Sequence, residues 1–82
     1  MSDYNGWKNH ETWNVSLWIN NDESLYREAC RFMRSYTKSS PYRDFIAAMD
    51  LAAAKTPDGV AYADKALDEG ELDEMMEELV EE

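Results

Sequence analysis

Asn9-His10-Glu11-Thr12-Trp13-Asn14-Val15-Ser16-Leu17-Trp18-Ile19-Asn20 is the stretch whose period decides the fold class. Its apolar residues fit two patterns at once. Trp13, Val15, Leu17 and Ile19 alternate with Asn14, Ser16 and Trp18, which is mostly a strand pattern. Trp13/Leu17 and Val15/Trp18/Ile19 also fall at helical spacing, and a short apolar run can satisfy both periods. Asn9 or Thr12 can cap a helix, and Glu11 would lie near its N-terminus, where the helix dipole favours an acid. Helix is the reading taken. The alternative is a strand over 13–19, whose one obvious pairing partner is Val60-Ala61-Tyr62.

Outward from this stretch the elements are plainer. Residues 1–8 (MSDYNGWK) read as an irregular arm with a turn at Asn5-Gly6. On the other side, Asn21-Asp22-Glu23 reads as turn and cap. Leu25, Ala29, Phe32, Met33 and Tyr36 then form the apolar face of a helix from about 23 to 37. Another face of that helix carries Arg27, Arg31, Arg34 and Lys38. Ser40 and Pro41 suit the N-cap and first position of a third helix, with Tyr42, Phe45, Ile46 and Met49 inward. Ala47, Ala48 and Ala52 to Ala54 favour its continuation up to Thr56-Pro57-Asp58-Gly59, a type I turn pattern with proline second and glycine fourth. Asp68 is expected to cap a last helix over about 69–81, with Leu72, Met75, Met76, Leu79 and Val80 as its apolar stripe.

The 82 residues contain no internal repeat and no low-complexity linker, so residues 1–82 read as one domain. The fold class expected is all-α, three or four helices, with a minor two-stranded element from 13–19 and 60–62 as the alternative. A chain of this length buries only about 60–65% of its unfolded surface, so its core is thin. With 44% hydrophobic residues it is nevertheless too apolar for a disordered chain.

Charge is distributed very unevenly. Asp64 to Glu82 hold ten acids against Lys65, a net of −9, while residues 1–63 carry eight acids and seven bases, a net of −1. An overall charge of −10 argues against non-specific nucleic-acid binding, because phosphates would be repelled. It suits docking on a basic protein surface. No run approaches the ~20 apolar residues of a membrane span, no charged-then-apolar leader opens the chain, and Cys30 has no partner for a disulfide. Cytoplasmic location and no membrane association are therefore expected.

Catalysis, metal and cofactor binding have little support in the residues. His10 has no second His or Cys at metal-ligand spacing. Cys30 lies beside the apolar stripe of the second helix and reads as a small core residue. No serine sits in a nucleophile motif, and the calcium-loop pattern is absent from the acidic segment. The chain is expected not to be an enzyme.

Three sets of residues are candidates for binding. Glu71, Asp73, Glu74, Glu77, Glu78 and Glu81 surround the stripe of the last helix. Like charges four apart on a helix cost a few tenths of a kcal/mol each, and acids in the last turn oppose the dipole. A basic partner would relieve both costs. Trp7 and Tyr4 are candidate aromatic anchors, with Trp7 expected at the surface. Arg27, Arg31, Arg34 and Lys38 could take anions, but internal pairing with the acidic helix is the simplest account of them.

The run from Asn9 to Asp22, followed by Leu25-Tyr26, resembles the signature of a family of small uncharacterised proteins of bacteria, plasmids and phages. Similar proteins carry Pro-Tyr-x-Asp-Phe, here Pro41 to Phe45, and the turn Thr56 to Gly59. They continue with Leu-Asp and Glu-Leu-x-Glu-Met-Met, here Leu67-Asp68 and Glu71 to Met76. The resemblance brings no established activity, so no catalytic residue carries over. Such proteins often have a basic residue after the Met pair, where this chain has Glu77 and Glu78. Their distribution implies a role in conflict between phage and host. The expected function is accordingly a small acidic binding module of phage or mobile-element origin. It would inhibit a host defence complex in the manner of anti-CRISPR or DNA-mimic proteins, its partner a host protein with a basic surface. The alternatives are a regulatory module that self-associates as a homodimer through its apolar stripes, and a nucleic-acid binder using the basic stripe.

Overall fold

The stretch that follows Asn9 is helical. The computed structural model describes residues 6–80, and its first helix, α1, spans His10–Asn21. As a helix the stretch turns Thr12, Val15, Ser16 and Ile19 to one side, and all four are buried. Asn9 is the cap, its Oδ1 accepting the Thr12 backbone N–H at 2.9 Å. The apolar residues that suggested alternation, Trp13 and Leu17, lie on the other side and stay half-exposed. The strand alternative for 13–19 is thereby corrected. Val60-Ala61-Tyr62 does not pair with it either, and instead folds back on its own neighbours through one antiparallel bridge, Lys55 to Ala61.

Asp22 alone joins α1 to α2, which spans Glu23–Arg34. Its backbone N–H donates to Trp18 O at 2.9 Å and closes α1, while its carboxylate accepts from Leu25 N at 3.1 Å and opens α2. One acid serves both helix ends, which suits the dipole of the second. α2 stops at Arg34, short of the expected residue 37. Tyr36 has left the helix to brace the next connection: its hydroxyl donates to Asp44 Oδ2 at 2.6 Å and accepts the Ser40 N–H at 3.0 Å.

The third helix, α3, spans Pro41–Ala48 and is shorter than the alanine run suggests. Asp50 takes the left-handed conformation at φ 59°. Leu51 N–H then donates to Ile46 O at 2.9 Å and Asp50 N–H to Ala47 O at 3.2 Å. Those two bonds are the paired closure of a Schellman C-terminus, a position usually held by glycine. After it, residues 51–68 form successive turns. Gly59 N–H donates to Thr56 O at 2.8 Å, closing the Thr56-Pro57-Asp58-Gly59 turn as expected, and Gly59 itself needs φ 92°.

The last helix, α4, spans Glu69–Val80 and is capped by Asp68, whose carboxylate accepts the Glu71 N–H at 3.1 Å. α4 contacts all three other helices. Its Leu72, Met75, Met76 and Leu79 are buried against Val15, Ile19, Ala29, Met33, Tyr42, Phe45 and Ile46, with Val60 and Tyr62 from the connecting segment closing the core. The described residues therefore form an all-α fold of four helices, three of them gathered around the acidic α4.

Candidate functional site: a cleft beside the acidic helix

Two polar constellations stand out, and only one of them is open to a ligand. The first is built from the most distinctive stretch of the sequence. Asn14 is fully buried on α1, where an unpaired amide would be costly. Its Oδ1 accepts the Thr56 hydroxyl at 2.7 Å, and its Nδ2 donates to Asp58 Oδ2 at 2.8 Å. The same Asp58 oxygen accepts the Trp18 indole N–H at 2.9 Å. These two hydrogen bonds to the charged form hold the Asp58 carboxyl below its ordinary 3.8. At the start of α1, Thr12 Oγ1 donates to Asn9 Oδ1 at 2.7 Å and accepts the Asp68 N–H at 2.9 Å, and Asn9 Nδ2 donates to Ala66 O at 2.7 Å. Among the described residues no buried side-chain N or O lacks a partner. This junction is saturated. It pins the long turn segment to α1, and its buried groups are spent on one another.

The second constellation is a cleft of about 400 Å³ between the chain before α1, the ends of α1 and α2 that meet at Asp22, and α4. Trp7, Tyr26 and Met75 line it together with Glu71, Glu74 and Glu78. The structure thus brings one of the two expected aromatic anchors to three of the expected acids. Trp7 is half-buried rather than at the surface, because it packs against the core as well as lining the cleft. Glu71 is held in place, its Oε1 accepting the Lys8 backbone N–H at 2.9 Å. Glu74 and Glu78 are exposed, and neither has a cation within 4 Å among the described residues.

The remaining acids separate by role. Asp73 works inside the fold: its Oδ1 accepts the Tyr42 backbone N–H at 2.9 Å. It therefore caps α3 from across the interface, while Ser40, in the N-cap position, makes no side-chain cap bond. Burial pushes the Asp73 carboxyl above 3.8, the Tyr42 N–H opposing that shift. Glu77 is exposed on the far side of α4. Tyr4 and Glu81 lie outside the described residues.

The basic stripe does not neutralise the acidic helix. Arg27 pairs with Glu23 at 2.7 Å and Arg31 with Glu28 at 3.7 Å, both within α2. Lys38 falls beyond the end of the helix, so the four cations do not form one helical row. Arg34 and Lys38 share a shallow depression with Glu77, but no pair closes to 4 Å there. Among the described residues the one ion pair on α4 is Arg43 to Glu69 at 3.1 Å. Much of the apolar stripes available for self-association is buried within the chain itself, while Leu25, Phe32, Tyr36 and Met49 stay partly exposed. His10 lies over Trp13, ring centroids 5.7 Å apart, and no group of three His, Cys, Asp or Glu side chains is placed to hold a metal among the described residues.

Tyr26 and Met75 belong to the cleft and were not singled out from sequence. Met75 was assigned to the core stripe, which is true of most of its surface. The spacing of Glu71, Glu74 and Glu78 already set three acids along one edge of that stripe. Nothing local in the sequence brings Trp7 to them.

The sequence model of a family of unknown function, DUF7249, matches residues 1–82. No curated protein and no solved structure matches the chain. No helix among the described residues is long and apolar enough to cross a membrane.

Proposed function

The chain belongs to the family of unknown function DUF7249, and we propose from its site alone that it is a non-enzymatic module that docks on a basic surface of another protein. The observation that carries this reading is the unneutralised acidity of α4. Glu74, Glu77 and Glu78 are exposed on a helix whose apolar face is buried, and among the described residues none of the three is paired with a cation: Arg27 and Arg31 pair within α2, and Arg43 pairs with Glu69. A helix that had only to be stable would gain from lysines at these positions. Retaining acids there has a use when a cationic surface completes the charge.

The finer form of the proposal is an inhibitor of a host defence complex, of phage or mobile-element origin, whose carboxylates stand in for nucleic-acid phosphates. The net charge of −10, concentrated in residues 64–82, supports it. The test is affinity capture from a host lysate with the wild-type chain and with E74Q/E77Q/E78Q as baits, each with and without added duplex DNA. A basic protein held by the wild type, released by DNA and lost with the triple variant is the expected result. Identical captured sets for the two baits would overturn the reading.

A further inference from the structure

The cleft beside α4 differs from the rest of the acidic face in setting aromatic and apolar side chains, Trp7, Tyr26 and Met75, beside its carboxylates. Its volume of about 400 Å³ lies within the ~300–1,000 Å³ of ordinary ligand sites. Positions 71, 74 and 78 are three and four residues apart, so their carboxylates run along one edge of α4. Met75 is buried beneath them, and Trp7 and Tyr26 supply two aromatic side chains. Glu71 is fixed through Oε1 by the Lys8 N–H, which leaves Oε2 without a hydrogen bond among the described residues. The occupant this arrangement suits must be cationic, because three carboxylates meet it. It must also shed water readily enough to lie against side chains such as Trp7, Tyr26 and Met75, which share the lining with the carboxylates.

A lysine ammonium meets the first condition but is compact and strongly hydrated. A guanidinium meets both. It is planar, weakly hydrated, stacks on aromatic faces, and offers a fork of donors that matches a carboxylate. We infer that the cleft receives an arginine side chain of the partner protein, its guanidinium against Trp7 and Tyr26 and hydrogen-bonded to Glu74 and Glu78. This rests on the reading of the protein as a basic-surface binder, and it names the anchor residue on the other side.

The experiment uses the full chain and two fluorescent peptides of equal length and charge, one with three spaced arginines and one with lysines in their place. Binding is followed by polarisation. The arginine peptide is expected to bind at least 5-fold more tightly than the lysine peptide. E74Q/E78Q, which alters exposed carboxylates only, is expected to weaken the arginine peptide at least 10-fold. Because Trp7 also packs on the core, W7L is read beside Y26L, each checked for folding by circular dichroism. Either is expected to bring the two peptides to within 2-fold of each other. Equal binding of both peptides to the wild type, insensitive to W7L and Y26L, would overturn the arginine anchor while leaving the basic-surface reading standing. Failure of the wild type to bind either peptide would remove both.

Discussion

Asn14 shows how a residue can be conspicuous in a sequence for a reason other than function. An amide in the middle of an apolar helix invites a binding role, yet its side chain is used up by Thr56 and Asp58. Truncating it would strand a buried hydroxyl and remove a donor to a carboxylate, at a cost of about 1–3 kcal/mol. No local pattern links residue 14 to residue 56, so the sequence identified the Thr56 to Gly59 turn but not what it rests on. The partner carboxylate gives a pH signature. Asp58 has a depressed pKa in the folded state, so its contribution is complete above the ordinary 3.8 and is lost as pH falls through the folded value. In D58N the amide oxygen can still accept from Asn14 and Trp18, but the titration is gone. Urea denaturation at pH 6 is expected to find the wild type more stable than D58N. That advantage should shrink as pH drops from 4 towards 2, and a gap constant across the range would refute the assignment.

At the scale of elements, caps and stripes were legible and the ends of α2 and α3 were not. Asn9, Asp22 and Asp68 cap as their positions suggest, and the inward residues of α2, α3 and α4 follow from their spacing. The end of α3 was missed because the residue in the left-handed position is Asp50, not glycine, and the alanines after it favour helix. Tertiary contacts override that propensity: Leu51 and Ala54 pack on the core only if the chain turns at 50. An L-residue with a Cβ at φ 59° carries a conformational cost that glycine does not. D50G is therefore expected to stabilise the protein by about 0.5–1 kcal/mol, raising Tm by about 3–6 °C in a thermal melt. A lower Tm for D50G would mean that the aspartate side chain contributes more than its backbone strain costs.

For the whole molecule, the charge asymmetry was readable from composition, but the destination of the charges was not. Arginine and glutamate stripes of similar length on two helices invite the inference that they face each other, and α2 does pack on α4. Their buried sides, with Ala29 and Met33 on α2 and Leu72 and Met76 on α4, belong to one core, which turns both charged faces outward. Arg27 and Arg31 then find acids on their own helix, at exposed i,i+3 and i,i+4 pairs worth at most about 0.5 kcal/mol each. Repulsion along α4, by contrast, is unrelieved between Asp73 and Glu77 and between Glu74 and Glu78. The two arrangements predict opposite responses to salt. Were α2 and α4 joined by ion pairs, sodium chloride would destabilise the fold. With the observed placement, salt screens more repulsion than attraction, because at 0.5 M the Debye length is about 4 Å, comparable to the separation of neighbouring side chains. Raising sodium chloride from 0.02 to 0.5 M is expected to stabilise the protein by about 0.5–1 kcal/mol in urea titrations. The gain should be largely absent from E74Q/E77Q/E78Q, since those carboxylates are its source. Destabilisation of the wild type by salt would instead place the arginines on α4, and would take with it the unpaired acidic face on which partner binding depends.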